Sequence, residues 1–298
     1  MASARASVRT GAPSGIVRRY LTVATLGSIL LHAILVLGFI AAILPFYWMI
    51  TASLKTESEI FRIPPIWFVT NPKFKNYWDV FTKTGFLRGL VNTIFICGTT
   101  TVLTAFLCAL AGFAFAKYSF PGRDPLFLLL LGTMMIPGVV EWIPVYMVMA
   151  KIGWVNTYAG VIIPGAASAF GIFMIHQYAQ SLPDELLDAG RIDGCNEFRI
   201  FYQIVAPLLA PAVATLSILT FVWNWNSLFW PLLMLRDQDK YTVALVLNQY
   251  KASGVDFTKI DRGGIMALCV LSTVPTVLIF FVLQRYITGY RLAGALKM

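Results

Sequence analysis

LPDELLDAGRIDGCNEFRIFYQIVAP, residues 182–207, is a charged, two-part segment set between two long apolar runs. Just before it, Ser181 offers a hydroxyl that can cap a helix from its N2 or N3 amide. Pro183 falls in the first turn, where a missing donor costs little, and Asp184 and Glu185 sit on the positive end of the helix dipole. The pattern predicts a helix from about residue 182 that stops at Gly194, the residue type most at ease in the left-handed conformation after a helix. A second helix is predicted from about Asn196 to Val205, before Pro207 opens the next apolar run. Helix, turn and helix would lie along a membrane surface or tucked below it. In the second helix Phe198, Phe201, Tyr202 and Val205 recur at i, i+3, i+4 and i+7, one apolar face on a segment too short to cross a bilayer. In the first, Ala189 and Gly190 lack bulk, so another surface can come close there, beside Asp188 and Asp193. A solvated loop needs far less apolar surface. On physical grounds the hairpin suits either docking into a groove on another protein or packing on the chain's own spans as an interfacial helix.

The surrounding 298 residues are 58% hydrophobic and 12% charged, whereas soluble domains carry about 25% charged side chains. A bilayer crossing needs roughly 20 mostly apolar residues, and six windows qualify: about 27–51, 89–116, 125–150, 155–179, 208–235 and 264–287. These windows lack the two-residue alternation of barrel strands. The expected class is therefore an all-α polytopic membrane protein with six transmembrane helices. The net charge of +9 decorates loops between spans, and no nucleic-acid partner is expected. Arg5, Arg9, Arg18 and Arg19 precede the first window, while Lys55 and Arg62 after it are interleaved with Glu57 and Glu59, which favours an amino terminus inside. The first run is longer than a signal-peptide core and no small-residue cleavage site follows it, so it reads as an uncleaved span.

Several spans carry breakers. Pro137 and Pro144 interrupt the third, Pro164 the fourth, Pro231 the end of the fifth and Pro275 the sixth, each removing a donor and favouring a kink. Glu141 is the one acid deep in a predicted span, a functional candidate by default, although the proline-flanked VVEWIP also suits a place near the outer surface. Trp223, Asn224, Trp225 and Asn226 offer amides and aromatic faces for a hydroxyl-rich ligand, or serve as interfacial belt and helix packing. Cys97 and Cys108 lie about 16 Å apart along one helix, beyond disulfide reach, and with Cys269 read as small apolar fillers. His32 and His176 have no metal-ligand spacing. The sequence holds no His-Glu-x-x-His, no Gly-x-Ser-x-Gly and no Gly-x4-Gly-Lys-Ser/Thr phosphate loop. A membrane-embedded phosphotransferase-like enzyme, suggested by the Asp188 to Gly194 run, lacks later metal-binding acids. A secondary transporter usually shows internal repeats and midplane coupling residues.

The 181–207 segment resembles the cytoplasmic coupling motif of ATP-binding-cassette import permeases: Glu-Ala-Ala, three residues, Gly, nine residues, Ile-x-Leu-Pro. Asp188, Ala189 and Gly190 take the acidic-small-small places, Gly194 follows after three residues, and Ile204, Val205, Ala206 and Pro207 close the motif after nine more. The resemblance extends to the carbohydrate-type branch and to the second permease of maltose-type systems. It is carried by LPFYWMITASLKTESEIF (44–61), IWFVTNPKFKNYWDVF (66–81), IPVYMVMAKIGWVNTYAGVIIP (143–164), WNWNSLFWPLLML (223–235) and LQRYITGYRLAGALKM (283–298).

That resemblance implies a type I importer permease fold. It divides the chain into a cytoplasmic basic tail (1–26), a first transmembrane helix (27–51), an extracytoplasmic loop (52–88), a five-helix permease core (89–287) holding the coupling segment, and a cytoplasmic carboxy tail (288–298). It also implies a bacterial-type inner membrane location, with both termini cytoplasmic. The implied partners are a second homologous permease, two ATP-binding-cassette ATPase subunits and an extracytoplasmic solute-binding protein, with ATP and Mg bound by the ATPases and no cofactor bound by this chain. The implied role is import of a sugar or sugar-like solute without an enzymatic step in this chain. Asp188, Ala189, Gly190, Asp193, Gly194, Phe198, Ile204 and Pro207 are the expected ATPase-coupling residues, and Glu141, Asn224, Trp225 and Asn226 the candidates for lining the route.

Overall fold

The apolar windows fold as helices, because a backbone with no water beside it must satisfy its amides within its own segment. The computed structural model describes residues 15–252 and 261–295, with side chains at 27–251 and 261–281. The expected basic stretch 1–26 and tail 288–298 thus lie outside the described side chains, and 1–14, 253–260 and 296–298 outside the described residues altogether. In chain order the helices are α1 (Gly15–Ser53), α2 (Glu57–Ile60), α3 (Lys75–Lys83), α4 (Phe86–Lys117), α5 (Arg123–Thr133), α6 (Gly138–Lys151), α7 (Tyr158–Ile162), α8 (Ala169–Gln180), α9 (Glu185–Ile192), α10 (Glu197–Ile200), α11 (Ala206–Trp225), α12 (Phe229–Met234), α13 (Val243–Ala252) and α14 (Arg262–Ala295). No strand occurs among the described residues.

Four unbroken stretches are long and apolar enough to cross a bilayer: Gly27–Ser53, Phe86–Lys117, Glu197–Trp225 and Arg262–Phe281. Two further crossings are bent pairs, α5 with α6 at 104° and Tyr158–Gly165 with α8 at 40°. Counting each pair as one crossing, the described residues make six passes. The third span is therefore not the single rod expected over 125–150. It turns a corner between Thr133 and Gly138, where Pro137 holds an extended conformation, because proline cannot donate and disfavours helix in the residue before it. The fifth span also departs from expectation. It ends at Trp225 instead of running on to Pro231, which lies within α12. Asn226 ends it: its backbone N–H turns back onto Val222 and Asn224, and its side-chain amide donates to Val222 O at 2.8 Å, the local competition with helix that Asn favours.

α4 runs through the centre, against α8 and α11, with α14 on the far side of α11 and α1 lying on α14. The α4–α8 contact is close because Gly112 has no side chain. A Cβ there would stand 2.7 Å from Ile175 Cβ and 2.9 Å from the His176 amide nitrogen, the small-residue approach typical of membrane helices. Over residues 29–46 the large apolar side chains of α1 are exposed, and only its last turn, with Thr51, Ala52 and Ser53, is buried. This span presents its length to lipid or to another chain.

The two ends of the bundle differ. At one, Glu57 pairs with Arg262, Asn76 Nδ2 donates to Ser53 O at 2.8 Å, and Asn92 Nδ2 donates to Asp239 O and Tyr241 O at 2.9 and 3.0 Å. The buried Lys55 donates to Ile66 O and stands 4.8 Å over the Trp48 ring. At the other end Cys108, Phe113, Ile175, Ile200, Val205 and Leu209 form one core with the 182–207 segment. We expect Gly112→Val to cost about 1–3 kcal/mol in thermal unfolding of the purified protein, while Gly98→Val, with nothing within 4 Å of a Cβ, leaves the transition unchanged.

Candidate functional site

The 182–207 hairpin is built differently from its capping pattern. Ser181 closes α8, its Oγ donating back to Tyr178 O at 2.7 Å, and does not cap the next helix. α9 begins after Asp184, without a side-chain cap. The Asp184 carboxylate is already engaged, accepting from Lys117 Nζ at 2.6 Å, and the Lys117 ammonium also donates to Leu182 O. The stop is as expected. Gly194 has φ +78°, its N–H donates to Arg191 O at 3.0 Å, and Cys195 N–H donates to Gly190 O at 3.0 Å, the paired bonds of a Schellman ending.

The second helix is not a separate surface element. Asn196 Oδ1 caps α10 by accepting from Arg199 N at 2.8 Å, and a π turn over Phe201–Val205 joins α10 to α11. The widened turn directly precedes Pro207, whose missing donor a regular turn would leave unmatched. The hairpin's second arm is thus the first two turns of the fifth span. Its expected apolar face divides accordingly: Phe201 and Val205 are buried, with Ile200 beside them, whereas Phe198 is 74% and Tyr202 58% exposed. The close approach at Gly190 is made by the chain itself, since a Cβ there would lie 2.8 Å from Ile204 Cδ1.

Both physical readings of the hairpin therefore hold, one on each face. Leu187, Gly190, Ile200, Phe201 and Val205 are buried inward, with Ile204 half-buried, while Leu186, Ala189, Ile192, Asp193, Phe198 and Pro207 are exposed outward. Ile192 is 86% exposed, and the Asp193 carboxylate has no partner among the described residues. Asp188 is committed internally to Arg191 Nη1 at 2.9 Å. Arg191 Nε reaches on to Glu197 Oε1 at 3.0 Å, and the Tyr118 hydroxyl donates to the same carboxylate. Burial first, and that bond second, push the Tyr118 phenol up to about 12, so it remains a donor throughout the neutral range. Lys117, Tyr118, Arg191 and Glu197 thus clasp the two arms to the end of α4. Sequence reasoning missed this clasp, because its partners stand 67 and 79 positions apart.

The expected route residues do not stay together. Glu141 lies in the first turn of α6, just past the corner at Pro137, and is exposed on the surface of the subunit. It has no partner among the described residues. Trp225 is 6% exposed, its Nε1 donating to Ser272 O at 3.2 Å, which makes it packing between α11 and α14. Asn224 Nδ2 donates to Thr220 O at 2.8 Å within its own helix. Asn226 alone of the three lines a concavity of about 480 Å3, with Trp142, Trp223, Ser227 and Phe229. Among the described residues no group of His, Cys, Asp and Glu could hold a metal ion.

Residues 102–289 match the family described as binding-protein-dependent transport system inner membrane component. The chain belongs to that family. It is 35% identical over 269 residues to the arabinooligosaccharides transport system permease protein AraQ of Halalkalibacterium halodurans, covering 87% of this chain and 94% of the relative. It is 32% identical to the lactose transport system permease protein LacG of Rhizobium radiobacter (87% and 93%). It is 30% identical to the sn-glycerol-3-phosphate transport system permease protein UgpE of Pectobacterium atrosepticum (86% and 92%). The fold matches a chain of a bacterial ABC transporter involved in alginate import, with a TM-score of 0.79, 23% identity, and 88% and 96% coverage. The family's inner-membrane permease fold is the six-pass bundle described above. We expect Lys117→Met to loosen the first turn of α9 where Asp184 and Leu182 lose their donor, seen as several-fold faster tryptic cleavage after Arg191 in a protein whose core is unchanged.

Proposed function

We propose that this chain is a permease subunit of an ATP-driven, binding-protein-dependent importer for a sugar or sugar-like solute, with the 181–207 hairpin as its transmission element. One observation carries the reading: the hairpin is two-faced. Its inner face shares a core with α4, α8 and α11, and its outer face exposes Ile192, Asp193 and Phe198. A force applied to the outer face moves the spans, because the inner face is close-packed and a packed core transmits displacement.

In this reading the hairpin end faces the cytoplasm and enters a groove on an ATPase subunit, as an apolar helix face does. With six passes, both termini are cytoplasmic. Two ATPase subunits bind ATP and Mg, and this chain binds no cofactor of its own. A second permease covers the exposed length of α1, and a solute-binding protein docks at the opposite end, on the α2–α3 and α13 segments. The corner at Pro137 and the break at Asn226 are where helices change angle as access alternates. Sugar specificity is supported by the names of the relatives, most of which are saccharide permeases.

The experiment is to extract the chain gently with a carboxy-terminal tag, identify what accompanies it and assay ATP hydrolysis. A second permease and a phosphate-loop ATPase are the expected companions. Recovery of the chain alone, under conditions that keep known importers intact, would overturn the reading. Phe198→Asp and Ile192→Asp are expected to lower ATPase retention at least tenfold while sparing the partner permease. Gly194→Val, strained at a positive φ, is expected to reduce binding-protein-stimulated hydrolysis in a complex that still assembles.

A further inference from the structure

We propose that the break in the fifth span and the corner of the third build a solute subsite on this subunit, shaped for the ring of a neutral sugar. The proposal rests on the importer reading and adds to it a place where this chain itself holds solute. The concavity of about 480 Å3 between Trp142, Trp223, Asn226, Ser227 and Phe229 falls in the size range of small-ligand sites, about 300–1,000 Å3. Trp142 and Phe229 stack with centroids 5.6 Å apart and planes 26° from parallel. Stacked ring on ring, the pair joins two separate spans and leaves an outer ring face free. Such a surface suits the C–H face of a pyranose or furanose ring.

The polar atoms point the same way. The chain's other tryptophans beside this region are satisfied inside the protein: Trp225 Nε1 donates to Ser272 O, and Trp230 Nε1 donates to Val161 O. The indole N–H groups of Trp142 and Trp223 and the hydroxyl of Ser227 have no partner among the described residues. Asn226 spends its amide nitrogen on Val222 O, which leaves its Oδ1 as an acceptor. Leu219, Val222 and Leu228 complete the lining, and against a lipid tail the three free donors and one acceptor beside them would stay unmatched at a cost. No Asp, Glu, Lys or Arg lines the concavity, so it does not suit an ion. A ring carrying hydroxyls and no charge satisfies both conditions.

Location adds a reason. Irregular backbone at membrane depth is tolerated where it is buried in protein or lines a water-filled cavity, and transporters place their sites at broken helices. Here the aromatic surface is formed across two such breaks, 134–137 and 226–228, so any change in the angle of either arm pulls the Trp142–Phe229 wall apart. The subsite is thereby made and unmade by the same motion that alternates access.

The test uses the assembled complex in proteoliposomes with its binding protein. Uptake of labelled arabinotriose, lactose, diacetylchitobiose and sn-glycerol 3-phosphate is measured. One or more of the three neutral sugars is expected to be carried, with the charged glycerol phosphate the poorest of the four. Trp223→Ala is expected to lower uptake of the carried sugar at least tenfold, Trp223→Phe, which keeps a ring face and loses the indole donor, to lower it about threefold to fivefold, and Asn226→Ala to change the ratio between two carried sugars at least threefold. Wild-type uptake and unchanged ratios in the alanine variants would overturn the subsite while leaving the importer reading intact. A Trp223→Ala chain that no longer retains the second permease would assign this surface to the permease interface and overturn the subsite. Glycerol phosphate as the favoured solute would overturn the neutral-sugar assignment, and no uptake of any of the four would remove the sugar-importer reading and the subsite with it.

Discussion

Everything at the hairpin end depends on the contact between Gly190 and the turn carrying Ile200 and Ile204. A Cβ at Gly190 would meet Ile204 and Ile200 at 2.8 and 3.2 Å, so the two arms touch with no space between them. That contact orients α9 across the foot of α11, and the shared core with Phe113, Ile175 and Ala179 carries the orientation into α4 and α8. The ionic clasp around Glu197 and Lys117 is exposed for most of its members. Exposed pairs contribute little net stability. They set the angle of a hairpin whose position is already decided by packing.

A chain in lipid has few ways to bend, because each freed amide or carbonyl costs several kcal/mol unless something meets it. This one bends where proline or asparagine has made the cost unavoidable and where neighbours supply partners. At the fourth span Ser168 Oγ accepts from Gly171 N at 3.1 Å, restarting helix after the turn at Pro164. At the fifth, Asn226 closes one helix with both its backbone and its side chain. Pro45, Pro211 and Pro275 sit inside α1, α11 and α14 without ending them. A proline by itself therefore does not decide whether a span breaks here: Pro137 turns the third span at a corner without a side-chain cap, whereas these three stay within helix.

The apolar surface of the subunit is unevenly covered. α4 is buried along one side by α8 and α11, yet α1 over 29–46 and the elbow over 134–140 are exposed throughout. Lipid alone would accept these faces. The exposed Glu141, at the start of α6, gives the elbow its one acid. The elbow and the outer face of the hairpin are thus two places where large side chains stand exposed beside a break in the helices.

Composition and periodicity by themselves determined that the chain is a helical membrane protein of six passes, since apolar length answers to bilayer thickness whatever surrounds it. They also determined the left-handed stop at Gly194, a local matter of φ. What they could not decide was direction. Ser181 was the expected cap, yet its hydroxyl turns back on Tyr178, and Asp184, expected only to favour the helix dipole, is engaged by Lys117 from a distant helix. Phe198 and Phe201 share a helical face by periodicity, yet the docking of α9 buries one and leaves the other in the open. Trp223, Asn224, Trp225 and Asn226 are neighbours in the chain, and the packing of α14 takes Trp225 inward while Trp223 and Asn226 face the concavity. Local pattern sets what a residue can do, and the contacts of distant helices select which of those things it does.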